Sequence, residues 1–131
     1  MNSVLTTTET VLRQMPTIRL AIVFGSIADG RASAESDIDI AVATDKPLLT
    51  TEKIGLIERI ATALGRPVDL IDLGVASGPI LHQALTRGRI VKCEDRALYA
   101  RLLLKMLYNQ TDEMPYRRLI LDQRQQAWTR V

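Results

Sequence analysis

The sequence predicts an α/β (α+β) fold, in which a short mixed β-sheet is flanked by helices and followed by a helical C-terminal extension. Three observations support it: short apolar runs bounded by Gly, Pro or Ser, amphipathic segments between those runs, and a helical pattern from Glu94 onward. With 131 residues, of which 47% are hydrophobic, the chain can bury one core. We therefore expect a single domain, with its core in residues 1–93 and C-terminal helices in residues 94–131.

The first half of the chain alternates helix and strand signals. Residues 3–15 have a helical pattern that Pro16 closes, and residues 18–24 (IRLAIVF) are an apolar run of strand length, far too short to cross a membrane. Residues 37–42 alternate polar and apolar side chains with the period of two that a strand requires. Residues 51–64 predict an amphipathic helix that ends before Gly65, with one face formed by Ile57, Ile60, Ala61 and Leu64.

The second half continues this alternation. Pro67 restarts a strand over residues 67–73, residues 79–87 predict a helix, and residues 89–93 (RIVKC) predict a fourth short strand. From Glu94 onward there are more apolar side chains than one core-facing stripe needs. The excess indicates either contact with another chain or two helices packed on the sheet and on each other. A polar break at residues 109–115 separates the first helical segment from a second one, which contains Tyr116, Leu119, Ile120, Leu121 and Trp128.

The dipeptide Gly25-Ser26 follows the first predicted strand and has the features of a phosphate-binding turn. Glycine permits a sharp turn and a close approach of the backbone to a ligand. Ser26 can cap a helix that follows and can offer its hydroxyl and nearby N–H groups to an anion. A triphosphate fits such a site.

Ten residues after this turn, Asp37 and Asp39 occupy alternate positions of the second predicted strand. Side chains at alternate positions point to the same face, so the two carboxylates can share a metal ion while Ile38, Ile40 and Val42 pack on the other face. The alternative is a pair of exposed aspartates on a solvated face of the sheet. The order of apolar strand, glycine turn, short linker and acidic strand favours the metal site.

A site with two metal ions about 3.5–4 Å apart needs more negative charge than two aspartates supply. The third predicted strand contains Asp69 and Asp72, which lie three positions apart and therefore point to opposite faces. We favour Asp69, because it lies among apolar residues where an unpaired charge would be costly. We expect Asp72 to be solvent-exposed, since Gly74 marks a turn close behind it. The alternative for Asp69 is a surface acid on an edge strand.

Charge and rare residues argue against several other classes. A net charge of +2 is too small to indicate nucleic-acid binding. The N-terminus lacks the pattern of a secretory signal, and no apolar run reaches transmembrane length. Cys93 is the single cysteine and cannot form an internal disulfide, so we expect a cytoplasmic protein in which Cys93 is a strand or core residue. We interpret His82, in a predicted helix, as a structural or surface residue rather than a catalytic base.

Taken together, Gly25-Ser26, the ten-residue spacing, Asp37-x-Asp39 and an aspartate on the following strand resemble the minimal nucleotidyltransferase group of the DNA polymerase β superfamily. The resemblance covers residues 18–73. Within it, the stretch GSIADGRASAESDIDIAV is similar to the MNT antitoxins encoded beside HEPN ribonuclease toxins. It implies a polymerase-β-type nucleotidyltransferase core in residues 1–93. One departure is Asp29, where many relatives carry a basic residue, and Arg31 can supply that charge.

The resemblance implies transfer of AMP from ATP, with two Mg²⁺ ions, to a tyrosine hydroxyl of a cognate HEPN toxin. It also implies a hetero-oligomer with that toxin. The catalytic and metal-binding residues carried over from the family are Asp37, Asp39 and Asp69. The nucleotide-binding residues carried over are Gly25, Ser26, Arg31 and Ser36.

Two alternatives remain open. The first is an adenylyltransferase that modifies a small molecule such as an aminoglycoside, although such enzymes usually carry an extra substrate domain that a chain of this length lacks. The second is a non-catalytic antitoxin that neutralises its partner by binding and occlusion, which the intact acids disfavour. A neighbouring gene that encodes Arg, a few residues and then His-x-Tyr would favour the toxin pair.

Overall fold

Four helices and four strands follow one another along the part of the chain that the structure describes, at the places that the sequence pattern predicts. The computed structural model describes residues 2–31 and 36–112. Its elements are, in order, α1 (Asn2–Arg13), β1 (Ile18–Phe24), β2 (Ile38–Thr44), α2 (Thr50–Leu64), β3 (Val68–Asp72), α3 (Gly78–Arg87), β4 (Arg89–Cys93) and α4 (Arg96–Asp112). Most of these bounds lie within two residues of the predicted ones.

The four strands form one mixed sheet in the order β3-β2-β1-β4. Strand β1 is antiparallel to both β2 and β4, whereas β2 and β3 are parallel. This arrangement confirms the predicted α/β class and mixed sheet. Because β1 runs opposite to the other three strands, its end at Phe24 lies at the same edge of the sheet as the starts of β2, β3 and β4, at Ile38, Val68 and Arg89. We call this edge the acidic edge.

Alternate residues of the strands fill two separate cores, one on each face of the sheet. On one face, Val23 packs in a cluster that includes Ile60 of α2. On the other face, Ile22 packs in a cluster that includes Leu81 of α3 and Leu102 of α4. A fully buried side chain of this size stabilises the fold by about 1.5–3 kcal/mol. A register slip of one residue would move every side chain of a strand to the opposite face and into the wrong core. The alternation therefore fixes the face that each polar strand residue occupies.

Helix α2 confirms the predicted amphipathic pattern. Ile60 is fully buried, and Ile57 and Leu64 pack partly buried against the same core. Leu56, which the pattern did not single out, is buried as well. The helix ends where Gly65 adopts a left-handed φ of +66° and donates its N–H to the carbonyl of Ala61 at 2.8 Å.

A buried lysine joins the end of α1 to β4. The Nζ atom of Lys92 donates to the carbonyl oxygens of Leu12 at 3.1 Å and Met15 at 2.8 Å, and it pairs with Glu94 at 3.2 Å. Carbonyl groups at a helix C-terminus lack partners within the helix and carry partial negative charge. The ammonium group therefore satisfies them, which explains how Lys92 is tolerated in the interior.

The C-terminal part of the described chain departs from one prediction. Helix α4 continues to Asp112, so the break predicted at residues 109–115 does not begin at Asn109. Asn, Gln and Thr lower helix propensity by less than 1 kcal/mol each, and residues 109–114 contain no Gly or Pro. The predicted second segment, with Tyr116, Leu119, Ile120, Leu121 and Trp128, lies outside the described residues. The division into residues 1–93 and 94–131 stays a prediction.

Several side chains that the sequence analysis singled out are exposed on the surface. His82 is exposed on α3, which agrees with its interpretation as a surface residue, and Cys93 is a strand residue whose side chain is exposed rather than part of the core. Along α4, Leu102 and Met106 are buried, whereas Leu104, Leu107 and Tyr108 are exposed. Within residues 2–31 and 36–112, no helix combines the length and apolarity needed to cross a bilayer.

Candidate active site

Asp39 and Asp69 meet at the acidic edge of the sheet. They are register partners in the parallel pair β2 and β3, and their side chains are joined by a hydrogen bond. Burial, followed by the charges of Asp69 and Asp37, raises the pKa of Asp39 from its ordinary value of 3.8 to about 6. Protonated Asp39 donates to Asp69, which raises this pKa further. Two carboxylates held this close need either a shared proton or a bound cation.

Asp37 completes the acidic group from the residue before β2. Its side chain is exposed, and its charge is one of those that raise the pKa of Asp39. The neighbouring backbone is held on both sides. Ile38 donates its N–H to the carbonyl of Pro67 at 3.0 Å, and Arg66 Nη1 donates to the carbonyl of Ser36 at 3.3 Å. The structure therefore brings Asp37, Asp39 and Asp69 together, as predicted, while their catalytic roles stay a prediction.

The Gly25-Ser26 turn lies directly beside this group. Gly25 has a left-handed φ of +75°, and a Cβ atom built on it would overlap Oδ2 of Asp39. The turn is closed by two internal hydrogen bonds: Asp29 donates to the carbonyl of Gly25 at 3.0 Å, and Arg31 donates to that of Ser26 at 2.9 Å. A glycine here lets the backbone pass close to the carboxylate.

The helix that Ser26 was expected to cap is absent from the described part of this connection. Residues 25–30 form successive turns. Gly30, with a φ of +74°, leaves the right-handed helical region and interrupts any helix at that point. The expectation of a helix directly after Ser26 is therefore wrong, and anion binding by Ser26 stays a prediction.

The two other predicted nucleotide-binding residues lie on the connection between β1 and β2. Arg31 forms an ion pair with Asp29, with 2.8 Å between Nη2 and Oδ2, so its charge is compensated within the linker. Ser36 is partly buried next to Asp37, and its carbonyl accepts the hydrogen bond from Arg66. Nucleotide binding by Arg31 and Ser36 stays a prediction.

Asp72 does not belong to the acidic group. It is 6% exposed, so the expectation of a solvent-exposed side chain is wrong. Its carboxylate accepts hydrogen bonds from the N–H groups of Gly74 at 2.8 Å and Leu48 at 3.0 Å. These donors satisfy the buried charge and tie the loop before α2 to the turn after β3. The pairing of Asp69 with Asp39 leaves Asp69 as the third carboxylate at the edge.

Two arginines near the site were missed by the sequence analysis. Arg66 precedes β3 and holds the backbone at Ser36, and Arg89 opens β4 and donates from Nε to the carbonyl of Ala28 at 3.0 Å. Both lie next to strand starts, but the strand order that brings them to the acidic edge is not readable from the sequence. The one signal in the sequence that could have identified them is a basic residue next to the start of a predicted strand.

The donor set suits Mg²⁺, a hard cation that binds oxygen ligands. Among the described residues, no three His, Cys, Asp or Glu side chains are arranged as a ready metal cage. Mg²⁺ commonly binds through one or two carboxylates together with water and substrate phosphates, and does not need such a cage. The contact between Asp39 and Asp69, beside exposed Asp37, therefore fits a magnesium site that substrate completes.

Comparisons with known proteins identify the family to which the chain is similar and one curated relative. A family model described as Polymerase beta, Nucleotidyltransferase matches residues 7–97. The protein adenylyltransferase MntA of Shewanella oneidensis is 37% identical over 75 residues, which are 57% of this chain and 54% of that protein. The chain thus aligns with about half the length of this curated relative.

Solved structures are similar over most of the chain. A chain in the crystal structure of a toxin-antitoxin with AMP-PNP has a TM-score of 0.72 and 28% identity, and the match covers 91% of this chain and 96% of that one. A chain in a structure of the tri-AMPylated Shewanella oneidensis HEPN toxin with its MNT antitoxin has a TM-score of 0.66 and 25% identity, covering 91% and 97%. These matches confirm the predicted fold.

Proposed function

This chain belongs to the polymerase β nucleotidyltransferase family, and from that premise we propose that it transfers AMP from ATP to a tyrosine hydroxyl of a cognate HEPN toxin. It would thereby act as the antitoxin. One observation carries the proposal: Asp39 and Asp69 are in contact beside Gly25, with the charge of Asp37 close by. The similar structures with AMP-PNP and with an AMPylated HEPN toxin point to ATP as donor and to such a toxin as acceptor.

In this reaction the tyrosine oxygen attacks the α-phosphorus of ATP and forms a new P–O bond. The bond between that phosphorus and the bridging oxygen of pyrophosphate breaks, and pyrophosphate leaves with the electron pair. The phenolic proton must pass to a base. We assign this role to Asp69, because its side chain is exposed and can reach an incoming hydroxyl, whereas Asp39 is half-buried.

Asp37, Asp39 and Asp69 would hold Mg²⁺, for which two ions are expected. Bound there, Mg²⁺ supplies charge neutralisation of the triphosphate and lowers the pKa of the attacking hydroxyl. The raised pKa of Asp39 supports cation binding, because a cation would replace the proton that otherwise relieves repulsion between the carboxylates.

Gly25 and Ser26 would hold the outer phosphates, which directs attack to the α-phosphorus. The backbone at Gly25 is free of side-chain bulk and lies against Asp39, so the proposed phosphate and metal ligands would be adjacent. Ser36 would contact the nucleotide from the other end of the linker. Arg31 would have to exchange its ion pair with Asp29 for a phosphate contact.

The partner would be a HEPN toxin in a hetero-oligomer. The exposed apolar side chains of α4 (Leu104, Leu107 and Tyr108) support a contact surface there, because they form a group on one helix rather than isolated residues. AMP on a tyrosine near a ribonuclease site adds bulk and negative charge, which opposes RNA binding. The single cysteine supports a cytoplasmic setting for this pair.

The proposal is tested by incubating the protein with Mg²⁺, ATP labelled at the α-phosphate and the product of the neighbouring gene. We expect label on the partner with the wild-type chain, and none with Asp37→Asn/Asp39→Asn or when EDTA is present. Asp45→Asn is the matched control, because Asp45 is an exposed aspartate just beyond the opposite end of β2. Label on a small molecule, or suppression of the toxin without label, would contradict the proposal.

A further inference from the structure

Arg89 is held at the acidic edge by the backbone on either side of it. It begins β4 and is the register partner of Val23 near the end of β1. Gly88 precedes it, and a Cβ atom there would overlap Cγ2 of Ile22 and the carbonyl of Ala84. The chain can therefore pass from α3 straight into β4 only because residue 88 has no side chain, and this close passage sets the position of Arg89.

The side chain of Arg89 reaches the phosphate-binding turn. Its Nε atom donates to the carbonyl of Ala28 at 3.0 Å, across 61 positions of sequence. Ala28 is buried, as is Ile27 beside it. The turn is thus held by the apolar packing of Ile27 and Ala28 and by the hydrogen bond from the Arg89 guanidinium. A charge-assisted hydrogen bond of this kind is stronger than a neutral one.

Arg89 also differs from Arg31 in its charge balance. Arg31 is neutralised by Asp29. Among the side chains that the structure describes in residues 4–31 and 36–108, no acid forms an ion pair with Arg89, whose own side chain is exposed. Three aspartates share the acidic edge, and ATP would add further negative charge. The positive charge of a guanidinium beside the turn lowers the electrostatic cost of that binding.

We propose that Arg89 is a positioning residue for ATP: its hydrogen bond to Ala28 fixes the Gly25-Ser26 turn, and its charge favours the triphosphate. This inference rests on the proposed nucleotidyl transfer, but it concerns the affinity for ATP and not the acceptor. Arg89 does not touch the reacting atoms in this account, so its loss should affect KM for ATP far more than kcat.

The test uses the full chain with Mg²⁺ and compares Arg89→Ala, Arg89→Lys and Arg87→Ala. Arg87 is the matched control, because it is an exposed arginine two positions away in the last turn of α3 and its replacement removes the same charge. Affinity for AMP-PNP is measured by calorimetry, KM and kcat by label transfer, and folding by thermal unfolding. The calorimetric measurement needs no acceptor protein.

For Arg89→Ala we expect Kd for AMP-PNP and KM for ATP to rise by about tenfold, as for loss of one charge-assisted hydrogen bond. We expect kcat to stay within about threefold, and Arg89→Lys to recover most of the affinity. Equal effects of Arg89→Ala and Arg87→Ala, or a fall in kcat at constant KM, would overturn the inference. If the wild-type chain binds AMP-PNP but labels no partner, the proposed function fails while the comparison of Arg89 variants still decides this inference.

Discussion

Gly25 and Asp39 form one structural unit, in which the carboxylate of the aspartate occupies the space that a side chain on the glycine would need. The register of β1 and β2 pairs Phe24 with Asp39, so the residue after Phe24 necessarily passes beside this carboxylate. The spacing between the glycine turn and the acidic strand therefore reflects a connection that returns the chain antiparallel to the same edge. This contact would place any phosphate held by the turn next to the carboxylate oxygens that we propose as metal ligands.

Gly25→Ala is expected to abolish most nucleotidyl transfer. The new methyl group would displace the Asp39 carboxylate, and a misplacement of about 1 Å can cost on the order of 100-fold in rate. Gly30→Ala is the matched control, because Gly30 has nearly the same φ but nothing within 4 Å of a Cβ atom. Both variants should lose about 1–2 kcal/mol in free energy of unfolding. Full transfer by Gly25→Ala would show that this contact is dispensable.

The metal-free protein should lose stability as pH rises from about 4 to 6. The pKa of Asp39 is raised from 3.8 to about 6 in the folded chain, so the folded state binds a proton that the unfolded state releases. The stabilisation that this proton gives is fully present below the pKa of Asp39 in the unfolded chain. It is lost as pH rises through the pKa of Asp39 in the folded chain. Its size is on the order of 1–2 kcal/mol, after allowance for solvent screening at a half-buried site.

Asp39→Asn removes this titration, so its stability relative to wild type should increase between pH 4 and pH 7. Urea unfolding in EDTA at several pH values measures the difference, with Asp45→Asn as control. Added Mg²⁺ should stabilise the wild-type chain at pH 7 and have little effect on Asp39→Asn. A difference in unfolding free energy that does not change with pH would contradict the assignment of this titration to Asp39.

Asp69→Asn and Asp72→Asn should have opposite effects, although the two residues lie on one strand. Asp72 is buried and accepts two backbone hydrogen bonds, so Asp72→Asn should lower the free energy of unfolding by about 1–3 kcal/mol. Asp69 is exposed and should tolerate Asn with little loss of stability but with loss of transfer. Chemical denaturation and label transfer on both variants check this. Normal transfer by Asp69→Asn would remove Asp69 from the catalytic group.

Leu104→Glu should weaken binding to the partner toxin by about tenfold without changing affinity for ATP. Leu104 is 64% exposed on α4, so the substitution should not disturb the core. Ile54→Glu is the matched control, because Ile54 is also an exposed apolar residue on a helix, here α2. Partner binding is measured by calorimetry. Equal weakening by both variants would indicate a nonspecific effect of added charge and not a contact surface on α4.

The helices and strands of this fold were well predicted from the sequence. In strands and amphipathic helices, the spacing of apolar residues follows the period of the element, so the pattern of burial can be read from the sequence. The strands predicted at residues 18–24 and 89–93 have the same first and last residues as β1 and β4. Asp37, Asp39 and Asp69 could be grouped because Asp37 and Asp39 alternate in sequence at the start of β2 and Asp69 lies on the next strand. The strand order itself could not be predicted.

Two failures of prediction, at Asp72 and Arg89, have the same physical cause, which is contact between residues far apart in sequence. Asp72 is buried because the N–H of Leu48, 24 positions earlier, turns toward it. Arg89 reaches Ala28 across the sheet edge. The third failure has a local cause, because the expected helix after Ser26 is replaced by turns that end at Gly30. Local pattern identifies which residues can form a site, and tertiary packing decides which of them do.

The most direct test of this account is peptide mapping by mass spectrometry of the partner toxin after incubation with the chain, Mg²⁺ and ATP. The account predicts AMP on a tyrosine of the toxin with the wild-type chain and with Asp45→Asn, and unmodified toxin with Asp39→Asn or Asp69→Asn. Unmodified toxin in every sample, although ATP binds and the two proteins form a complex, would contradict it and would identify the chain as an antitoxin that acts by occlusion.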